Sequence, residues 1–146
     1  MDAATRLIAA LGLSPHPEGG HYRETWVAPA APGARPAGTA ILFLLRAGEA
    51  SHWHRVDATE IWHFHAGAPL ILRIAADAAG PARSLRLGGD VLAGDVPQGI
   101  VPAHHWQAAA STGAYSLVSC TVSPGFRFEG FDLAPPGFDI PATPAV

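Results

Sequence analysis

The chain has 146 residues, 49% of them hydrophobic, with a formal charge of -3 and a pI near 6.2. That is material for one domain around one core, and the weak negative charge, with no run of arginines, lacks the footprint of a nucleic-acid binder. All nine basic residues are arginine, so the amine of Schiff-base chemistry and the lysine of a phosphate-cradling loop are absent, and pyridoxal enzymes and loop-type nucleotide hydrolases drop out.

The predicted elements begin with a helix over residues 2–13, where Leu7, Ile8 and Leu11 recur at helical spacing, Asp2 is available as a cap and Gly12 stands near the stop. After Ser14-Pro15-His16-Pro17-Glu18-Gly19-Gly20 the pattern changes to short apolar or alternating runs punctuated by Gly, Pro and Asp, which reads as strands. These are expected at Tyr22–Val27, Thr39–Arg46, Ser51–Val56, Glu60–Ala66, Leu70–Ala75, Ser84–Leu87, Gly99–Pro102, Trp106–Ala109 and Tyr115–Val122. Many short strands after one helix describe an all-β sandwich or barrel, here over about residues 20–133, with Ala28 to Gly38 as a surface loop. The Pro-rich stretch 134–146 is expected to be an extended or partly disordered arm. The longest apolar run, Ala40 to Leu45, is too short to span a bilayer and no leader-like segment opens the chain, so a soluble, cytoplasmic protein without membrane contact is expected. Cys120, in an apolar strand, reads as a buried, inert thiol.

Six of the eight histidines fall in two short segments, His52-Trp53-His54 running on to Glu60, His63 and His65, and then His104-His105. Imidazole is the commonest neutral metal ligand and titrates near neutral pH, so clustering it with a carboxylate points to metal binding or proton transfer. On an extended strand His52 and His54 share a face, and a tight hairpin through Asp57-Ala58-Thr59 brings Glu60 beside them. Trp62 and Phe64 share the face of Glu60; Ile61, His63 and His65 take the opposite one, where a dimer contact or an outer hydrogen-bonded position suits the histidines. Of His104 and His105, adjacent parity turns only one inward.

His52-x-His54, Glu60 and Gly67 resemble the first motif of the cupin superfamily, with one residue too many between His54 and Glu60, and Gly94 to Gln107 resembles the second, with Gln107 where the last histidine ligand would stand. Pro17-Glu18-Gly19-Gly20 with Tyr22-Arg23-Glu24-Thr25, Trp53-His54-Arg55, Glu60-Ile61-Trp62-His63-Phe64, Trp106-Gln107 and Val118 through Phe126 resemble the cupin-5 group over almost the whole chain. That resemblance implies a double-stranded β-helix (jelly roll), usually a homodimer, with a pocket in the barrel mouth; it does not supply a reaction. His52 and His104 depart from the group's pattern. A neutral amide at Gln107 is a weaker metal donor than imidazole and better suited to hydrogen bonding a ligand.

The expected site therefore places His54 and Glu60 as catalytic groups. His52, His54, Glu60 and His104 are candidate ligands of a divalent zinc, iron, manganese or nickel ion with open positions, and Trp106, Gln107, Trp62, Phe64, Glu18 and Tyr22 are candidate substrate contacts. Three readings follow: an isomerase, epimerase or lyase acting on a small polar or sugar-like molecule with or without metal; a non-catalytic binder of a planar or sugar-like ligand; and a metal-dependent oxygenase, against which the missing final histidine counts.

Overall fold

The computed structural model describes residues 1–142. Helix α1 (Ala3–Leu11) is capped by the Asp2 carboxylate, which accepts from the Thr5 N–H, and ends at Gly12 in the left-handed conformation. Eleven strands follow: β1 (Ser14–Pro15), β2 (His21–Val27), β3 (Thr39–Arg46), β4 (Ala50–Val56), β5 (Thr59–Gly67), β6 (Leu70–Ala75), β7 (Arg83–Leu87), β8 (Gln98–Val101), β9 (Trp106–Ser111), β10 (Tyr115–Ser123) and β11 (Phe131–Leu133). They form two antiparallel sheets, ordered β1-β2-β3-β10-β5-β8 and β11-β4-β9-β6-β7. This is the jelly roll that the cupin resemblance implies, with one short helix in front of it. No helix among the described residues is long and apolar enough to cross a membrane.

The interior is built by strand alternation. Phe43 and Leu45 of β3, Trp62 of β5, Val118 of β10, and Leu70, Leu72 and Ile74 of β6 meet between the sheets and are almost fully excluded from solvent. Leu7, Ile8 and Leu11 of α1 cover Leu42 and Leu44 on the outer side of the first sheet. Residues 134–142 run over the outer side of the second. There Ala134 and Ile140 are buried, Asp139 accepts from the Trp53 indole, and the Ile140 carbonyl accepts from Arg73. Residues 143–146 of the expected arm lie outside the described residues.

Two local features position the site. First, β4 and β9 pair as Ser51 with Ala109 but His54 with Gln107, so one extra residue is accommodated on β4. Such a bulge shifts strand parity: Ser51 and His54 are buried, and His52 is turned out. Second, β4 and β5 belong to different sheets, so the turn at Asp57-Ala58 is a corner between sheets where a hairpin was expected. Glu60 accordingly faces His54 across the barrel.

Candidate functional site

A cavity of about 140 Å³ opens between the sheets at one end of the barrel. Its floor carries His16, Glu18, His54 and Glu60; Ile41, Val56 and Val122 form sides, and Phe126, Phe128 and Phe131 wall the mouth, with Tyr22 and Glu24 of β2 completing the rim.

Glu18 enters from the loop ahead of β2. Gly19 has φ +109, and a Cβ there would run into the Ala50 carbonyl, so only glycine lets this loop lie flat against β4. The Glu18 carbonyl accepts from the His52 N–H at 2.8 Å, pinning the loop, and the carboxylate turns inward with 7% of its surface exposed.

The protonation of the floor follows from its hydrogen bonds. His54 Nδ1 lies 2.7 Å from the His52 carbonyl, which can only accept, and His54 Nε2 lies 2.9 Å from the Glu18 carboxylate. Both ring nitrogens are therefore donors and the ring is an imidazolium. Burial opposes that charge, but attraction to Glu18, the hydrogen bond to it, and the further pull of Glu60 outweigh burial and raise the His54 pKa to about 9. The same contact reverses the effect of burial on Glu18, holding its carboxyl below the usual range. His16 is the opposite case. Its Nδ1 accepts from the Glu18 N–H at 3.0 Å, and burial lowers its pKa, so this ring is neutral at neutral pH.

Glu60 is left as the titrating group. Burial first, then the neighbouring Glu18 charge, push its pKa up to about 7 against the pull of His54. Its orientation is set by a relay: the Trp62 indole donates to Gln107 Oε1 at 2.7 Å, which forces Gln107 Nε2 to donate to Glu60 Oε1 at 2.9 Å. Burial and the adjacent carboxylates raise the Cys120 thiol well above its ordinary value, in keeping with an inert role.

Of the residues singled out from sequence, His54, Glu60, Glu18 and Tyr22 meet at the cavity. The others stand elsewhere. His52, displaced by the bulge, sets Nε2 3.0 Å from the Pro135 carbonyl on the outer side. His104 occupies an exposed turn with φ +68 beside Asp57 and Glu129, outside the cavity. Trp106 is buried beneath the C-terminal arm, 5.0 Å from the Phe138 ring, with the Arg55 guanidinium 4.6 Å above it. Trp62 is core against Phe43, Phe64 packs on that core, and Gln107 sits behind Glu60. His63 and His65 do take the far face, reaching Thr121 and Ser119.

The expected four-ligand metal set is thus not assembled. Among the described residues no three or more His, Cys, Asp or Glu side chains come together as metal ligands. His52 and His104 point away, both His54 nitrogens are committed as donors, and an amide replaces the last imidazole. This donor set does not fit a transition metal. Sequence reasoning missed His16 and the three phenylalanines, and left Glu24 out of the expected site although it stands beside the Gly19-Gly20 turn. Glu24 was within reach, since it stands two residues from Tyr22 on one strand and so shares its face; Phe126 and Phe128 come from an irregular segment and Phe131 opens the three-residue β11, too short for a periodicity to be read.

The family described as Cupin superfamily (DUF985) matches residues 5–134. A solved protein from Shewanella oneidensis is 40% identical, with a TM-score of 0.84 over 92% of this chain and 85% of that one. A hypothetical protein from Leishmania major is 33% identical, with a TM-score of 0.81 over 91% of this chain and 88% of that one. Oxalate decarboxylase from Bacillus subtilis shares the fold at 13% identity and a TM-score of 0.62, over 82% of this chain and 29% of the enzyme. No curated protein matches the chain. With the match running from the helix through the last strand, the chain belongs to the Cupin superfamily (DUF985) family.

Proposed function

We propose that the cavity is a proton-transfer site for a small polar molecule, with Glu60 as the group that takes and returns the proton, in an isomerase, epimerase or lyase reaction. The carrying observation is that one cavity holds Glu60, poised at about 7, opposite a fixed Glu18–His54 ion pair. A base near the working pH combines a useful ionised fraction with enough basicity to abstract a proton. His54, kept cationic by Glu18 and committed at both ring nitrogens, offers no N–H to a substrate; its charge instead eases the ionisation of the buried Glu60. Sequence alone made His54 a candidate general base; a ring already protonated on both nitrogens cannot serve as one. The relay from Trp62 through Gln107 holds the Glu60 carboxyl in one orientation, and the phenylalanine wall limits water.

The test is deuterium exchange. A panel of small hydroxy-, keto- and amino-carbonyl compounds is incubated with the protein in deuterated water and followed by proton NMR. Exchange at carbon that rises with pH through about 7 and is lost in Glu60→Gln supports the reading. Exchange unaffected by that substitution overturns it, and binding of panel members with no exchange at all transfers the cavity to the non-catalytic class.

A further inference from the structure

The distribution of charge defines what the cavity accepts. The chain has no lysine, and none of its nine arginines lines the cavity. Six arginines are held in carboxylate ion pairs elsewhere, Arg35 and Arg127 sharing Asp57, and Arg86 on Asp95. Inside, His16 is an acceptor at Nδ1 and carries no charge, and the His54 imidazolium is neutralised by Glu18 at 2.9 Å. What remains unbalanced is acidic: Glu60 in the floor and Glu24 on the rim. Facing Glu60 are His54 from β4, Glu18 from the loop, Gln107 from β9 and Cys120 from β10, none of which adds a free positive charge. A carboxylate or phosphate entering here would lose its water and meet like charge.

The mouth has the complementary character. Phe126, Phe128 and Phe131 lie within 5.0–6.1 Å of one another, centroid to centroid, at steep angles. Aromatic faces attract cations, most strongly where water is excluded, and accept apolar bodies. Phe128 keeps 55% of its surface exposed although the chain has a core to bury it in, so apolar area is left uncovered at the entrance.

We propose that the cavity receives a small molecule with a compact apolar body against the phenylalanine wall and an ammonium group drawn in by the acidic charge of Glu24 on the rim and Glu60 in the floor. This rests on the reading of the cavity as a small-molecule site and narrows its substrate class. It carries a proton linkage: an ammonium beside Glu60 favours the carboxylate, so binding releases a proton and tightens as pH rises from 6 to 8, where an alkylamine stays charged.

Three probes of one shape separate the possibilities: benzylamine, benzyl alcohol and benzoate, titrated into the full-length protein and followed by calorimetry and amide NMR. Benzylamine is expected to bind at least about tenfold more tightly than either analogue, with an affinity several-fold higher at pH 8 than at pH 6, and to weaken about tenfold in Glu24→Gln, a rim substitution that leaves the buried floor intact. Benzoate or benzyl alcohol binding as well as benzylamine overturns the ammonium assignment alone, as does a Glu24→Gln affinity equal to wild type. Binding by none of the three overturns the small-molecule reading along with it.

Discussion

The two ends of the barrel interior are lined by the same strands and differ in everything else. β3 sends Phe43 and Leu45 into the closed end but Thr39 and Ile41 into the open one; β5 sends Trp62 to the first and Glu60 to the second; β10 sends Val118 and then Val122. At the closed end, β6 answers with Leu70, Leu72 and Ile74 and the space is filled. At the open end, the opposite sheet answers with His54 and Val56, and the lid is made of irregular chain. Position along a strand therefore decides whether an inward residue is packing or chemistry. Within the barrel interior, buried charge gathers at the open end, where Glu18 and His54 neutralise each other.

Breaking the closed end should have the largest effect. Trp62→Ala removes a fully buried ring and orphans Gln107, and should lower stability by about 3–5 kcal/mol in urea unfolding. Trp62→Phe keeps most of the volume while freeing Gln107. Its loss of stability should be smaller, but the Glu60 titration should move, which carbon-13 NMR of the carboxyl reads directly.

At the open end, Glu18→Gln should lower stability by up to about 3 kcal/mol, because one partner of a buried pair is taken away. The His54 ring should fall from about 9 toward or below its ordinary 6.5, since burial then goes largely unopposed. Nitrogen-15 imidazole shifts check this; a ring still charged at pH 8 would mean that Glu60 and the His52 carbonyl suffice.

The pH dependence should carry a signature of the open end. His54 is raised on folding from 6.5 to about 9, so its contribution is complete below 6.5 and lost as pH rises through 9. Glu60 is raised from 4.5 to about 7, so folding favours its protonated form and that contribution is lost between 4.5 and 7. Both act in one direction, whereas His16 and His63, lowered on folding, act in the other up to 6.5, so thermal unfolding midpoints should decline from pH 6.5 to pH 9. Glu60→Gln should flatten the segment below 7.

The smallest effects sharpen the boundary of the site. Phe128→Ala, on a ring already 55% exposed, should change stability by under about 1 kcal/mol while weakening benzylamine. His52→Ala should change neither the His54 titration nor probe binding, since His52 faces the outer side.

Strand positions were legible because alternation and turn residues are local properties. Thr39–Arg46 and Leu70–Ala75 stand as read, and the other expected strands agree within two residues at each end. The inward turn of Glu60 with Trp62 and Phe64, and the outward turn of His63 and His65, followed from parity alone. The pairing of His52 with His54 did not survive, because a bulge on β4 is decided by what β9 offers opposite it, a pairing that no window of β4 contains. The short β1 and β11 were also missed, being two and three residues long and held by their neighbours.

By itself the sequence determined a β-rich fold behind one capped helix, the family resemblance, and the placing of His54 and Glu60 on inward faces. Only the tertiary structure decided the roles. It brought Glu18 from a distant loop to within 2.9 Å of His54, spent Gln107 on orienting Glu60, and turned away the histidines that would have completed a metal site. Protonation depends on burial and on charges a few ångströms away, and both are set by chain segments far apart in sequence.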